Sequence, residues 1–434
     1  METENRHYRR SVVSWCMYDW ANSAFATTIM AAVLPIYYSS VAASTLDPDP
    51  NKAASLATSY WGYTVAAAML IVAVMAPVLG AIADYSGTKK RFMAAFWLPG
   101  VMFTSLLVFM STGDWLLSSG LYILGNVGFA GANIFYDGLL PHVAKPKDID
   151  VVSTAGYAFG YLGGGLLLAI NVLMIQMPHL FGIPDAAMGS RLSFLSVGIW
   201  WLLWAIPTFL FVKEPPAAAG EGPRRNPVVA GFGRLINTFK ELRLYKQLLL
   251  FILAFWIYND GIGTIIKMAT IYGAEIGIGQ AHLIGALLMV QFIGIPFTFL
   301  FGWLAGKLGT KPSILLALGV YAIISVAGFF MTEAWHFWAL AVLVGLVQGG
   351  SQALSRSLFG SMTPKSKSAE FFGFYNVSSK FAGIFGPFVF ALVGQIMTGG
   401  RFGILSLIVF FIVGGGLLLF VNVDEGRRVA QEVG

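Results

Sequence analysis

Four groups of polar residues sit inside long apolar stretches, and the spacing within each group places its members on one helical face. Asp19, Asn22 and Ser23 stand at i, i+3 and i+4, and Asp260, Thr264 and Lys267 at i, i+4 and i+7. Gln348, Gln352 and Arg356 follow at steps of four, and Asn376, Ser379, Lys380 and Gly383 make a fourth stripe. Helical residues three or four apart share a surface. An ionisable side chain in hydrocarbon costs about 2.5–3.5 kcal/mol, so each of these should face a cavity or a partner. Together they could bind a solute carrying both charges. The acids Asp19 and Asp260 suit an ammonium, the bases Lys267, Arg356 and Lys380 suit a carboxylate, and the amides of Asn22, Asn259, Gln352 and Asn376 suit either. A carboxyl taken out of water favours its neutral form, so Asp19 or Asp260 could also carry a coupling proton.

Other chemistries find no support. The five histidines (His7, His142, His179, His282 and His336) are scattered near ends and loops without metal-ligand spacing. The lone Cys16 permits neither an intramolecular disulfide nor a cysteine cluster. Gly261–Lys267 superficially matches a phosphate-binding loop, but Ile266 stands where glycine is needed. No nucleotide, cofactor or metal signature and no catalytic pairing is present, so no catalytic residue is assigned. An enzyme is not expected, and energy must come from gradients. Asp137, beside Pro141 and His142, reads as structural, with Lys145 or Arg91 as partner. Lys267 could instead snorkel to the outer surface.

The elements that position these residues follow from composition. Of 434 residues, 57% are hydrophobic and 11% charged, against roughly 25% charged in soluble domains. Mean hydropathy is +0.73. A soluble globule could not hide that much apolar surface, and disorder is excluded by the same numbers. A bilayer core needs about 20 helical residues. Twelve runs meet that need: 12–40, 56–83, 92–112, 115–138, 152–177, 191–212, 247–273, 280–305, 312–332, 335–360, 370–397 and 401–423. They are continuous and do not alternate, which excludes a membrane barrel. The first run is too long for a signal-peptide core and reads as a retained helix. With the N-terminus inside, Lys and Arg concentrate in the cytoplasmic loops, and only Lys52, Arg191 and Arg401 fall outside. Both termini are therefore expected in the cytoplasm. The net charge of +6 then faces anionic inner-leaflet lipid, and no nucleic acid is required.

The longest polar interruption, 213–246, is rich in Pro, Gly and basic residues and reads as a cytoplasmic linker with an amphipathic piece near 232–244. It divides the chain into a six-helix bundle over 1–212 and another over 247–434. A repeat supports the division. At an offset of 222, Gly80, Ala83, Gly87, Thr88 and Lys89 match Gly302, Ala305, Gly309, Thr310 and Lys311. Two repeated six-helix halves are a design of secondary transporters.

The segment Gly80…Asp84…Gly87…Lys89-Lys90-Arg91 resembles the loop signature of the major facilitator superfamily. Tyr18-Asp19-Trp20-Ala21-Asn22-Ser23-Ala24-Phe25, Tyr258-Asn259-Asp260-Gly261-Ile262-Gly263-Thr264 and Gly349–Ser357 resemble the branch that includes the fungal vacuolar amino-acid effluxer of autophagy. The resemblance spans essentially the whole chain. It implies an all-α polytopic membrane protein of major facilitator fold, with 12 transmembrane helices as two six-helix bundles. It also implies that spans one, four, seven and ten line the central path, and that the signature loop (with Gly302, Gly309 and Lys311 in its second copy) gates conformation without binding substrate. Gly306 replaces Asp84 in that copy, so a latch there should be weaker. The run Gly156, Gly160, Gly163, Gly164, Gly165 partly resembles an antiporter signature. It lacks the Gly-Pro pair, which occurs instead as Gly386-Pro387, so close helix packing is the simpler reading.

The expectation is a secondary active transporter moving a small organic solute, an amino acid or related zwitterion, by alternating access with possible proton coupling. It should act as a monomer in a cell or inner membrane, with membrane lipid around it. A lipid or lysolipid transporter of the same fold is the first alternative, kept open by the 15% aromatic content. A non-transporting scaffold or sensor is the second, disfavoured by the short loops.

Overall fold

In hydrocarbon each backbone polar group must be satisfied within its own segment, so long apolar runs fold as helices. The computed structural model describes residues 2–86, 89–145, 149–214, 245–363, 375 and 383–433, and helix is found in each of the twelve expected runs. Span one starts as Glu2–Ala24 and continues through a π-helical Phe25–Ala32, an α-helical Val33–Tyr37 and a π-helical Tyr38–Ala42. Spans two to six are Pro50–Ser86, Lys89–Leu106, Trp115–Val143, Ile149–Gln176 and Ala186–Phe211. Spans seven to ten are Lys246–Glu275, Gln280–Leu308, Thr310–Phe329 and Ala334–Ser361. Span eleven is described as helix over Phe385–Ile396, and span twelve as Gly400–Ser406 followed by Ile408–Phe420. Among the described residues, ten helices are long and apolar enough to cross a membrane. Trp115–Val143 and the shorter Phe385–Ile396 account for the other two runs. The amphipathic linker piece and most of the linker lie outside the described residues.

The chain forms two compact units, one of Met1–Thr45 with Ile71–Arg234 and one of Leu46–Leu70 with Leu235–Gly434. The boundary therefore cuts through the single helix of span two. Its N-terminal half packs within the second unit. Trp61 Nε1 donates to the Lys267 carbonyl at 3.4 Å, and Tyr63 Oη donates to Gln395 Oε1 at 2.5 Å. A methyl group at Gly62 would stand 2.7 Å from the Ala391 Cβ.

In the first unit the glycine run of span five lies against span one. A Cβ at Gly156 would meet the Asp19 carboxylate, at Gly160 the Ser23 hydroxyl and at Gly163 the Trp20 backbone. These glycines bring two helices into backbone contact, the packing that small residues allow in membranes. Side chains such as Phe109, Leu116, Ile412 and Phe420 remain exposed on the outer faces, as lipid-facing positions must.

The repeated loop also has a structural role in each unit. Lys90 Nζ donates to the Val212 carbonyl at 2.6 Å, and Lys311 Nζ donates to the carbonyls of Leu419 and Val421 at 2.7 and 2.8 Å. In both units a lysine in the first turn of the third helix thus caps the carbonyl end of the sixth, though by the offset of 222 it is Lys89, not Lys90, that matches Lys311, and at such ends orphan acceptors and the helix dipole favour a cation. Gly309, with φ of 93°, makes the tight turn between spans eight and nine that a side chain would strain.

Candidate functional site

In the first unit, spans one and four run antiparallel with a ladder of polar side chains between them. Tyr136 Oη donates to Asp19 Oδ2 at 2.9 Å, Asn22 Nδ2 donates to Asn133 Oδ1 at 2.6 Å, and Tyr38 Oη and Ser119 Oγ share a hydrogen bond of 3.1 Å. Trp15 stacks on Tyr136 with centroids 4.4 Å apart and donates Nε1 to its carbonyl at 3.1 Å. The Tyr136 ring is therefore fixed before it reaches Asp19. Asp19 is half-buried and Asn22 buried. The three residues of the expected face, Asp19, Asn22 and Ser23, point to different neighbours. Asp19 and Asn22 meet span four, and Ser23 lies against the glycines of span five.

In the second unit, Asp260 is 2% exposed. It lies 14 residues into span seven, about 21 Å along a helix that rises 1.5 Å per residue, and so near mid-span. Its Oδ2 accepts the backbone N–H of Gly386 at 2.7 Å. Residue Ile384, which precedes the first turn of Phe385–Ile396, supplies no side-chain cap. The carboxylate of span seven does so instead, placing a negative charge at the positive end of a helix inside the membrane. Asp260 Oδ1 finds no hydrogen-bond partner among the described residues. Thr264, one turn on, turns its hydroxyl back to the Asp260 carbonyl at 2.7 Å. A Cβ at Gly386 would press on Thr264 Oγ1 and stand 2.6 Å from Asp260 Oδ1, so the approach of span eleven requires glycine. Lys267 folds back along its own helix toward Gly263.

Glu275 repeats the device at the C-terminal end of span seven, where its Oε1 accepts the Gly400 N–H at 2.8 Å at the start of span twelve. On span ten, Gln352 is exposed and Arg356 half-buried, while Ser355 is buried and shares a 2.7 Å hydrogen bond with Tyr258 Oη. Asn259 is half-buried beside Asp260. Asn376, Ser379 and Lys380 lie outside the described residues, as do Gly87 and the side chains at positions 80 and 84. Lys89 Nζ lies 3.4 Å from His142 Nε2, and Arg91 is exposed. Asp137 is exposed near the C-terminal end of span four.

The sequence reading missed Asn133, Tyr136 and Asn126 on span four and Gly386 as the partner of Asp260. Ser119, Asn126 and Asn133 recur every seven residues. That heptad spacing of uncharged polar residues was the available signal for the first unit.

A family model described as vacuole effluxer Atg22 like matches residues 7–431. The uncharacterized MFS-type transporter YxiO of Bacillus subtilis (strain 168) is 38% identical over 428 residues, covering 98% of each chain. Autophagy-related protein 22 of Yarrowia lipolytica is 25% identical over 460 residues, covering 85% of this chain and 76% of that protein. Among solved structures, a D-xylose-proton symporter superposes with a TM-score of 0.69 at 15% identity, covering 96% of this chain and 99% of the other. An inward-facing, unoccupied bacterial homolog of the human lysosomal transporter Spinster gives 0.65 at 15% identity and 98% coverage of both. These last two establish the fold.

Proposed function

The chain belongs to the vacuole effluxer Atg22-like family of major facilitator transporters, and on that footing we propose that it carries amino acids or related zwitterions by alternating access, with protons as the coupling ion. It is a multi-pass integral membrane protein and a transporter. Both termini in the cytoplasm is the topology we assign from the Lys and Arg distribution, and export is the direction that fits an effluxer family.

One observation carries the substrate reading: the buried Asp260 carboxylate has one oxygen bound to the Gly386 N–H and the other without a partner among the described residues. A buried anionic oxygen is costly unless a proton or a cationic donor satisfies it. A coupling proton supplies the first and a substrate ammonium the second. The first half offers a comparable acid, Asp19, oriented by Tyr136, with the amide of Asn22 one turn away. Asn259, Lys267, Gln352 and Arg356 complete the proposed set on spans seven and ten, with Asn376 and Lys380 assigned from sequence. Gly80, Asp84, Gly87, Lys89, Lys90, Arg91, Gly302, Gly309 and Lys311 are assigned to conformational control, since two of these lysines tie loops to helix ends.

Purified protein in liposomes, loaded with a panel of amino acids with and without a pH gradient, tests this reading. Accumulation that follows the gradient and is lost in Asp260→Asn supports it. Accumulation indifferent to the gradient removes the coupling, and no flux of any amino acid removes the substrate.

A lipid or lysolipid substrate is the second reading. The specific observation is a tryptophan cluster near mid-span. Trp20 stacks on Trp200 at 5.8 Å, Trp200 meets Trp204 at 5.7 Å, and Trp204 is exposed. Competition by lysolipid and not by amino acids would select it.

A further inference from the structure

The ladder between spans one and four has a gap at its centre. On span four, Asn126 lies seven residues from Ser119 and seven from Asn133, on the same stripe as both. Those two residues are paired across to Tyr38 and Asn22. Asn126 is 0% exposed, and neither its Nδ2 nor its Oδ1 has a hydrogen-bond partner among the described residues. A primary amide offers two donor hydrogens and an acceptor oxygen, and leaving both ends buried and unmade is costly. Such a group in a native fold calls for an explanation, and a bound molecule is one.

The opposite wall is unusual at the same height. From Tyr38 to Asn22 span one uses 16 residues where span four uses 14. The surplus is taken up where span one turns π-helical, over Phe25–Ala32. Continuing the pairing register places Asn126 opposite positions 29–31, inside that stretch. A π turn displaces backbone carbonyls from the regular i−4 ladder and is frequent at functional sites. One turn along span four, Phe129 stacks on Phe25 at 4.9 Å and meets Trp201 at 6.0 Å. The surroundings of Asn126 thus combine aromatic rings and an irregular backbone edge, while Thr28 of the same stretch turns its hydroxyl to Asn171 on span five. That is the composition of a small-molecule site: apolar walls and a few polar groups that fix orientation.

We propose that Asn126 and the π-helical stretch Phe25–Ala32 form an occluded polar subsite in the first unit that hydrogen-bonds the ammonium-carboxylate head of the transported solute. This rests on the amino-acid reading above and names a residue that determines its specificity. The amide matches a zwitterionic head because it can accept from the ammonium and donate to the carboxylate at once. Being fully enclosed, the subsite belongs to the occluded stage of the cycle.

The test compares wild type with Asn126→Leu, which keeps the number and branching of side-chain heavy atoms and removes both polar ends, by thermal unfolding in detergent against each proteinogenic amino acid, D-xylose, a nucleoside and lysophosphatidylcholine. The variant should unfold at or above the wild-type temperature without ligand, since an unpaired buried amide has been replaced by an apolar group. Its apparent affinity for the amino acid that best stabilises wild type should fall at least tenfold. Affinity within twofold of wild type, whatever the melting temperature, overturns the inference and leaves the amino-acid reading standing. If only a non-amino-acid probe stabilises wild type and N126L loses that response, the amino-acid reading fails and the subsite stands. Should N126L not fold, Asn126→Ser, which adds no bulk, is judged by the same affinities.

Discussion

The carboxylate of Asp260 accepts the backbone N–H of Gly386 at 2.7 Å, so that an acid on one membrane helix caps the first turn of another. The geometry explains why position 386 is glycine. A side chain there would occupy the space of Thr264 Oγ1 and of the unpartnered Asp260 Oδ1. Gly386→Ala should therefore destabilise the protein by about 1–3 kcal/mol, the usual cost of overpacking, and reduce transport at least tenfold. Thermal unfolding together with liposome flux measures both. Wild-type values in each would show that span eleven does not depend on this approach.

Asp260→Asn retains an acceptor for the Gly386 N–H and removes the charge. The variant should fold with little loss of stability and lose gradient-driven accumulation more than solute exchange. Asp19→Asn, which keeps an acceptor for Tyr136 Oη, should behave alike if both acids carry protons. Equal and unchanged accumulation in the two variants would remove proton coupling from the proposal.

The apolar runs made the spans legible, because a bilayer leaves a 20-residue hydrophobic segment little choice but helix. The offset of 222 made the repeat legible, and Gly309 and Lys311 sit at the turn and the helix end that a repeated loop requires. Asp19 and Asp260 stood out because charges in hydrocarbon are rare. Their partners did not. Asn133 is uncharged and marked only by its heptad spacing from Ser119 and Asn126, Tyr136 stands outside that spacing and is unmarked, and the Gly386 amide is backbone with no sequence letter of its own. The π-helical Phe25–Ala32 carries an ordinary apolar composition. Its irregularity becomes visible only against span four, through the unequal residue counts between shared rungs. The split of span two between compact units depends on tertiary contacts at Trp61, Gly62 and Tyr63, and no local pattern encodes those.

The glycines of span five separate packing from propensity. Gly163 faces the Trp20 backbone at contact distance, whereas a Cβ at Gly165 would meet nothing within 4 Å. Gly165→Ala should stabilise the helix by about 0.5–1 kcal/mol, since glycine is a poor helix residue. Gly163→Ala should destabilise by about 1–3 kcal/mol through overpacking. Melting temperatures moving in opposite directions confirm the packing, and a shared sign would mean that span five does not lie on span one as described.

The loop lysines should act as helix caps. Lys90→Met and Lys311→Met each remove a cation from the carbonyl end of the sixth helix of a unit, at a cost of about 1 kcal/mol. Arginine at the same positions keeps the charge and should restore most of the stability. Unchanged melting in both methionine variants would leave the lysines with no structural role and return them to gating alone.

The proposed alternating access sets a condition on the N-terminal, or by the proposed topology outer, half of span two. Gly62 approaches Ala391 so closely that a methyl group there would stand 2.7 Å from the Ala391 Cβ, and Tyr63 bonds Gln395 one turn further along span eleven. If transport requires an outward-open stage, these contacts must part once per cycle. A G62C/A391C pair in a Cys16→Ser background, free of the native thiol, brings two Cβ atoms closer than the roughly 3.5–4.5 Å of a disulfide, so the two helices must ease apart by about 1 Å for the bond to form. Oxidation should link the pair and stop flux, and reduction should restore it, because the protein held closed at this contact can bind solute from one side only. Flux that continues through fully cross-linked protein would mean that span two stays fixed on span eleven throughout the cycle. The solute would then have to cross without the outer half of span two ever separating from the second unit, and alternating access would need a different moving element.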